Sequence, residues 1–522
     1  MTTIARPNQH HREEVTQRRR ALQYLLDRKR SKEERNRLGQ FATPDQLALD
    51  VAQHALSYFP DRSTVEVLEP AVGLGSLWEA LLKKAEGRDL RGTAFEVDSE
   101  VAQEARSLWG KLGLVVNAGN FTSQLPPAPE EQFDLLISNP PYVRHHHLDQ
   151  LEKKHLRRLA ESRSGVQPNG YMGLYGYFML LAHSWIKPGG IGVWLIPTEF
   201  MDVGYGKALK EYLLKQVTLL SIHTFTHTTT QFDDALVSSA IVTYRMTPVQ
   251  HGHEVRFTSG DQLLNPANET SWPIEDLTAD QKWSGLSLQH EVVENRGITL
   301  GDLFDVRRGI ATGDNTYFVM DEQQADALKL PKKYLRPVLP SPRHLKSDHI
   351  LGRDDGFPAL DTVQVLLDCD LPPDHVREQF PELWAYLQEG KQRGVSARYL
   401  CEKRNPWYRQ EQRPPPLFLC TYMGRGRAGG NPFRFILNES QATATNVYLL
   451  LYPKGEMASL LTRGRAVQQA VWEELNALGG EVVKREGRVY GGGLHKVEPS
   501  ELLKTPAETV LEVARYAING AA

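Results

Sequence analysis

Cysteine is scarce: three in 522 residues, at Cys369, Cys401 and Cys420. That excludes a disulfide framework and leaves no zinc site without help from histidine. Long apolar runs are missing too. The most apolar stretch, Tyr175–Ile186, is broken by Gly176, His183 and Ser184, far short of the roughly 20 residues that a bilayer-spanning helix needs. The opening residues, Met1 to Glu14, lack the apolar core of a signal peptide. Net charge is nearly absent, since 61 Lys plus Arg against 64 Asp plus Glu leaves −3. What remains is ordinary: 40% hydrophobic and 24% charged residues, a globular composition with ample core. At roughly 150 residues per domain the length admits two to four domains. The expectation is a soluble protein of a reducing compartment.

Whole-chain neutrality hides two basic islands. Arg6 to Arg37 holds eleven Arg or Lys against five acids, and Lys391 to Arg434 holds ten against two, Glu402 and Glu411. Positive charge concentrated at two places in a near-neutral chain suggests a polyanionic partner. A solvated, partly helical arm is the other reading of the first island.

Residues 1–38 read as a basic helical arm. From 39 to about 250, short β-rich runs alternate with helical stretches: Val65–Leu68, Gly92–Phe95, Leu114–Val116, Phe133–Ile137, Ile191–Ile196 and Ala240–Tyr244. This alternation predicts a doubly wound, mostly parallel sheet with helices on both faces. Beyond about 250 it stops. Prolines cluster at Pro337, Pro340, Pro342 and Pro414–Pro416, and glycine-rich turns appear at Gly424–Gly430 and Gly491–Gly493. Residues 260–522 are expected to form a second, irregular α+β domain.

Chemistry gathers at the predicted strand ends. The first strand runs into Leu68-Glu69-Pro70-Ala71-Val72-Gly73-Leu74-Gly75 and then a helix. Gly73 and Gly75 permit a tight turn and close ligand approach, and Glu69 can hold a cationic or hydroxylated group; glycines after a strand are also plain turn chemistry. The second strand ends in Phe95-Glu96-Val97-Asp98, with Glu96 suited to two ribose hydroxyls and Asp98 or Ser99 to capping the next helix. The third ends at Asn120-Phe121, where an amide can recognise an adenine ring and Phe121 can flank it. Glycine, acid and amide on three successive strand ends describe a nucleoside site.

The fourth strand ends in Asn139-Pro140-Pro141-Tyr142. The prolines stiffen the turn and remove two donors, leaving the Asn139 side-chain oxygen and the Pro140 carbonyl as acceptors for an amine presenting two N–H groups. Accepting both draws that nitrogen toward tetrahedral geometry and frees its lone pair, while Tyr142 can stack on the planar group bearing it. Arg144 follows as a candidate phosphate contact. Arg425 and Arg427, set among glycines, suit phosphate or guanine. His145–His147 read as a mobile loop on the base side, and no metal is expected.

With the glycine loop and the acid upstream, Asn139-Pro140-Pro141-Tyr142 resembles the motif of S-adenosylmethionine-dependent methyltransferases that act on exocyclic or amide nitrogen. Gly39-Gln40-Phe41-Ala42-Thr43-Pro44 lies ahead of the glycine loop, and Leu174–Phe178, Lys187–Gly190, Ile196–Thr198 and Gln231–Asp233 follow the catalytic turn. That order resembles the gamma-class N6-adenine DNA methyltransferases of restriction–modification type. Gly309–Asn315 and Tyr490–Pro499 resemble their target-recognition domain. The resemblance implies a class I S-adenosylmethionine-dependent methyltransferase domain over 39–250, a DNA target-recognition domain over 260–522, S-adenosyl-L-methionine as cofactor, double-stranded DNA as partner and base flipping. It adds Phe232 as a stacking aromatic beside catalytic Asn139, Pro140 and Tyr142. It also adds Thr43, Pro70, Val97, Pro141 and Phe178 to a cofactor set of Glu69, Gly73, Gly75, Glu96, Asn120, Phe121 and Asn139. A cognate restriction endonuclease, a monomeric state and a cytoplasmic, nucleoid-associated location are further expectations. The family usually has aspartate where Asn120 stands, so charge assistance toward the adenine amine of the cofactor is lost here. The rival readings are a glutamine-amide protein methyltransferase, an RNA adenine methyltransferase and a non-catalytic DNA-binding protein.

Overall fold

The structure, a computed structural model, describes residues 9–29, 31, 34, 39, 41–225, 239–287, 297–425, 431–478, 488–490 and 494–519. The chain forms two compact units, Met1–Val292 with Tyr490–Gly492, and Val293–Val489 with Gly493–Ala522. Among the described residues no helix is long and apolar enough to cross a membrane.

Among the described residues the first unit is built on nine strands: β1 (Thr64–Glu69), β2 (Asp89–Glu96), β3 (Leu114–Ala118), β4 (Phe133–Ser138), β5 (Ile186–Pro197), β6 (Thr218–Phe225), β7 (Ser239–Arg245), β8 (Glu254–Gly260) and β9 (Asn268–Pro273). Their order is β3-β2-β1-β4-β5-β7-β6-β8-β9. The ladders β3-β2-β1-β4-β5 are parallel, and β7 runs antiparallel to both β5 and β6. This is the class I methyltransferase arrangement. All six residues of β4 are buried, as an apolar run covered by helices on both faces must be. Parallel strands bring their carboxyl ends to one edge, so Glu69, Glu96 and the turn after Ser138 converge. Strand order reverses between β1 and β4, and a crevice opens outside the strand ends at such a switch point.

Two expected boundaries move. The first sheet does not stop near 250: β8 pairs parallel with β6, and β9 pairs with β8. Val255 and Phe257 are buried in the first core. The change in composition after 250 marks the end of strand–helix alternation, not the end of the sheet. The basic arm is not separate either. Its helix, Gln9–Lys29, buries Val15 in the first core and packs Leu22 against it.

The second unit has an irregular α+β plan. Its largest sheet has five strands, with Phe418–Thr421 antiparallel to both Tyr448–Pro453 and Phe435–Asn438. A four-stranded sheet contains Gln364–Leu367, and a three-stranded one contains Met423–Arg425. Three apolar clusters fill it.

Candidate active site

A cavity of about 760 Å³ lies at the carboxyl edge of the first sheet, within the usual size of a small-ligand pocket. Glu69, at the tip of β1, lines it while only 2% exposed. Its Oε2 has no hydrogen-bond partner among the described residues, and burial pushes its carboxyl well above the usual carboxylate range. An unsatisfied buried carboxyl is costly, so the position favours a ligand that brings donors or positive charge. Gly73 (φ +54°) also lines the cavity, and a Cβ there would meet nothing within 4 Å. The two glycines divide their work. Gly75 (φ +83°) is buried and does not line the cavity; its Cβ would run into the Trp109 indole, whose Nε1 donates to the Leu74 carbonyl at 2.8 Å. Close packing of this turn against the helix Ser99–Trp109, not ligand approach, requires glycine at 75.

Glu96, at the tip of β2, accepts from the Gly73 backbone N at 3.0 Å and from the Asp98 N at 2.9 Å. It therefore braces the glycine loop from one side while facing the cavity on the other. Burial raises its pKa against the effect of these hydrogen bonds. Asp98 caps the helix Ser99–Trp109 by accepting from the Glu100 and Val101 N–H groups, and Val97 lines the cavity. After β3, Asn120 lines the cavity with its Oδ1 already accepting from Thr122 N at 3.0 Å and Thr122 Oγ1 at 2.9 Å. That corrects the expected acceptor role: both lone pairs of the amide oxygen serve its own turn. Phe121 lines the cavity but is 1% exposed, held among Phe95, Phe178 and Trp185 with ring centroids 5.7, 5.4 and 5.1 Å away. It is a wall, not a free-standing stacking ring.

At the end of β4, the Asn139 Nδ2 donates to the Phe41 carbonyl at 3.0 Å and to Thr43 Oγ1 at 3.1 Å. A carbonyl can only accept, so the amide nitrogen must face Phe41, and the amide oxygen is left as the group that can accept from a substrate. Thr43, Pro70, Asn139, Pro141 and Phe178 all line the cavity. Pro140 and Tyr142 do not: Pro140 is buried, and Tyr142 is 8% exposed with its hydroxyl donating to the Leu195 carbonyl at 3.1 Å. The expected inward Pro140 carbonyl and open Tyr142 face are not presented in this conformation. The cause is local. Gly39 (φ +65°) folds its segment onto the turn so closely that a Cβ would overlap the Tyr142 backbone, and Tyr142 N donates to the Gly39 carbonyl at 3.3 Å.

Phe232 and Arg427 lie outside the described residues, as does the side chain of Arg425, whose backbone ends the strand Met423–Arg425. Arg144 is exposed just past the turn Asn139–Tyr142. The three histidines form one 3₁₀ turn, with the His146 and His147 rings 4.2 Å apart and both residues lining the cavity. Much of the second basic island holds its own unit together: Arg398 pairs with Asp314 at 2.9 Å, Arg404 binds the Thr312 carbonyl at 2.7 Å, and Arg434 pairs with Asp348. Sequence reasoning missed Gln23, Leu26 and Asp27 of the N-terminal helix, which line the cavity. The available signal was the stripe Val15, Arg19, Leu22, Leu26, spaced as one helical face.

The cavity carries four carboxyl groups, of Asp27, Glu69, Glu96 and Glu152. With Glu69 Oε2 unpartnered and open space at Gly73, this set of acceptors fits S-adenosylmethionine, which offers a cationic ammonium, a sulfonium and two ribose hydroxyls. Residues 82–232 match the family model of the Eco57I restriction-modification methylase, and residues 282–518 match that of the C-terminal domain of Type II methyltransferase M.Eco57I. The chain is 25% identical to Type II methyltransferase M.AccI of Acinetobacter calcoaceticus, over 91% of this chain and 86% of that protein. It is 28% identical to Type II methyltransferase M.XamI of Xanthomonas campestris pv. amaranthicola, over 84% of this chain and 80% of that protein. The solved structure of the Type IIL restriction-modification enzyme MmeI in complex with DNA shares the fold, with a TM-score of 0.51 at 12% identity, over 91% of this chain and 73% of that one. Together these matches make the chain a site-specific DNA methyltransferase similar to those of restriction–modification systems, with S-adenosylmethionine as cofactor.

Proposed function

We propose that the methylated atom is N6 of one adenine in a specific duplex site. The observation that carries this reading is the orientation of Asn139: its nitrogen is tied to Phe41 and Thr43, and its oxygen is left to accept an N–H of an amine. The cofactor supplies an electrophilic methyl group. Asn139 Oδ1, with the Pro140 carbonyl as second acceptor once the turn opens to the substrate, orients the amine and holds its protons. Catalysis then rests on positioning, with no residue required to remove a proton before transfer: the sulfur leaves as the neutral thioether of S-adenosylhomocysteine, and the methylated nitrogen, acidic once it carries the positive charge, gives up its proton to water afterwards.

The adenine amine sits on the base-pairing edge, so the base must leave the stack at a cost of a few kcal/mol. Tyr142 and Phe232 are the proposed stacking partners, each worth about 1–3 kcal/mol. Because Tyr142 is 8% exposed, its neighbours must shift for a base to reach its face. Arg144, Arg425 and Arg427 are proposed DNA contacts, and a restriction endonuclease cutting the same site is the proposed cognate partner. A glutamine amide would suit the same turn. Against it stands the second unit, which a methyltransferase acting on a protein loop does not need and which matches a Type II methyltransferase domain.

Methylation-sensitive long-read sequencing of DNA from a methylase-free host expressing the protein tests the proposal. N6-methyladenine at one recurring sequence is expected. Methylated cytosine, or no modified base, overturns it.

A further inference from the structure

The N-terminal helix Gln9–Lys29 is fastened to the catalytic unit along one face. Arg19, 3% exposed, donates to Glu79, at the start of the helix after the glycine loop, and to Asp45, at the start of the helix after Thr43-Pro44. Arg20 adds a second pair to Asp45 at 2.7 Å. Burial alone would raise the Asp45 carboxyl, yet Arg19 and Arg20 hold it below its usual range. Beside these, Arg18 pairs with Glu104 at 3.1 Å, and at the far end Lys29 pairs with Glu100 at 3.2 Å, both partners on the helix that follows Glu96. Basic residues that read as free charge for a polyanion are thus spent on carboxylates of the same unit. One turn and two turns beyond Arg19, Gln23 and Asp27 line the cavity with Leu26, and Gln23 Nε2 donates to Asp27 Oδ1 at 3.0 Å.

We propose that this helix is a working part of the cofactor site: Gln23 and Asp27 bind S-adenosylmethionine, and Arg19 is the positioning residue that holds them there. The inference rests on the methyltransferase reading of the cavity. The chemistry is complementary, because Asp27 adds negative charge and Gln23 amide hydrogen-bonding groups toward a ligand that is cationic and hydroxyl-bearing. The geometry is economical: one buried guanidinium ties together the two helices whose preceding segments carry Thr43 and Gly73, so the arm, the Phe41–Pro44 segment and the glycine loop share an anchor. The exposed ion pairs contribute little by themselves; the buried Arg19 with two partners holds the register.

The full-length protein and two full-length variants, Gln23→Ala with Asp27→Ala, and Arg19→Ala, test this by calorimetry with S-adenosylhomocysteine. The double variant should bind about tenfold or more weakly, as expected for two lost side-chain hydrogen bonds, with the melting temperature little changed. Coupling is reciprocal, so S-adenosylhomocysteine should slow tryptic cleavage after Arg20, Arg28 and Lys29 in the wild type and lose that effect in the double variant, a readout that a merely structural helix would not move. If Arg19→Ala does not fold, the double variant and the protection experiment still decide. Unchanged affinity with no protection overturns the inference and leaves the methyltransferase reading standing. So does weaker DNA binding at unchanged cofactor affinity, which makes the helix a DNA arm. Failure of the wild type itself to bind S-adenosylhomocysteine overturns both.

Discussion

Asn139 Nδ2 lies 3.1 Å from Thr43 Oγ1 across 96 residues of chain, so the amide proposed to meet the substrate is oriented by a segment preceding the whole sheet. Asn139→Ala should lose nearly all methyl transfer while cofactor and DNA binding survive. Thr43→Val removes one of two anchors and should give an intermediate rate. Single-turnover kinetics check both. A rate for Asn139→Ala above about a tenth of wild type, a barrier change below ~1.4 kcal/mol, sinks the role.

Burial raises the pKa of the Glu69 carboxyl, and a cofactor ammonium held there would tie binding to pH. Above the ordinary carboxylate range the native state keeps a proton that the unfolded chain has released, so stability falls as pH rises toward the raised pKa. Glu69→Gln should remove that slope and stabilise the protein at neutral pH in urea titrations. A cationic ammonium favours the ionised form, so binding should release a proton and tighten with rising pH. Calorimetry in buffers of different ionisation enthalpy should show proton release in the wild type and none in Glu69→Gln, with affinity weaker by about 1.5–3 kcal/mol.

Asn120 has one side-chain oxygen and spends it on Thr122. A carboxylate has two, one for the cap and one for an amine. Asn120→Asp should therefore bind S-adenosylhomocysteine more tightly, and the gain should vanish with an analogue lacking the adenine amine. Equal affinity of the wild type and the Asn120→Asp variant for the normal ligand, measured by calorimetry, would show that this oxygen does not meet the cofactor.

Two histidines predict acid sensitivity. Burial, aided by the charge of Arg256, lowers both His54 and His223 from 6.5 to about 4. His54 shares a hydrogen bond with Thr243 at 2.9 Å and His223 one with Thr258 at 2.9 Å. Between those pH values the unfolded chain binds protons that the native state refuses, so stability is lost as pH falls from 6.5 toward 4, by up to about 1.4 kcal/mol per unit for each group. The double variant His54→Gln with His223→Gln should flatten the pH dependence of urea unfolding in that window; an unchanged slope assigns the sensitivity to other groups.

Much of the site was legible because parallel strands deliver their ends to one edge. Glycine, acid and Asn-Pro-Pro after successive strands could be placed together with no knowledge of packing. The burial of Tyr142 was not legible because motif position says nothing about what lies over a ring: Phe41 and Tyr175, with ring centroids 6.0 and 6.5 Å away, are tertiary contacts. Gly75 looked like a ligand glycine, yet its constraint is the Trp109 indole, distant in sequence. β8 and β9 were hidden because a strand pairing with β6 needs no flanking helix. Gln23 and Asp27 were overlooked for a plainer reason: arginines dominate that segment and mask the helical stripe from Val15 to Leu26, and only burial separates Arg19 from its solvated neighbours.

The clasp between Asn139 and the Phe41 carbonyl spans 98 residues. Closing a flexible loop of that length costs roughly 4 kcal/mol of chain entropy beyond a constant, and two hydrogen bonds cannot meet it unaided. The clasp can persist only after β1 to β4 have already drawn the two segments together. Catalytic competence is therefore among the last properties the nascent polypeptide acquires: a partly folded chain can display the glycine loop and an ordered sheet while its Asn139 amide still rotates freely, and it will not methylate.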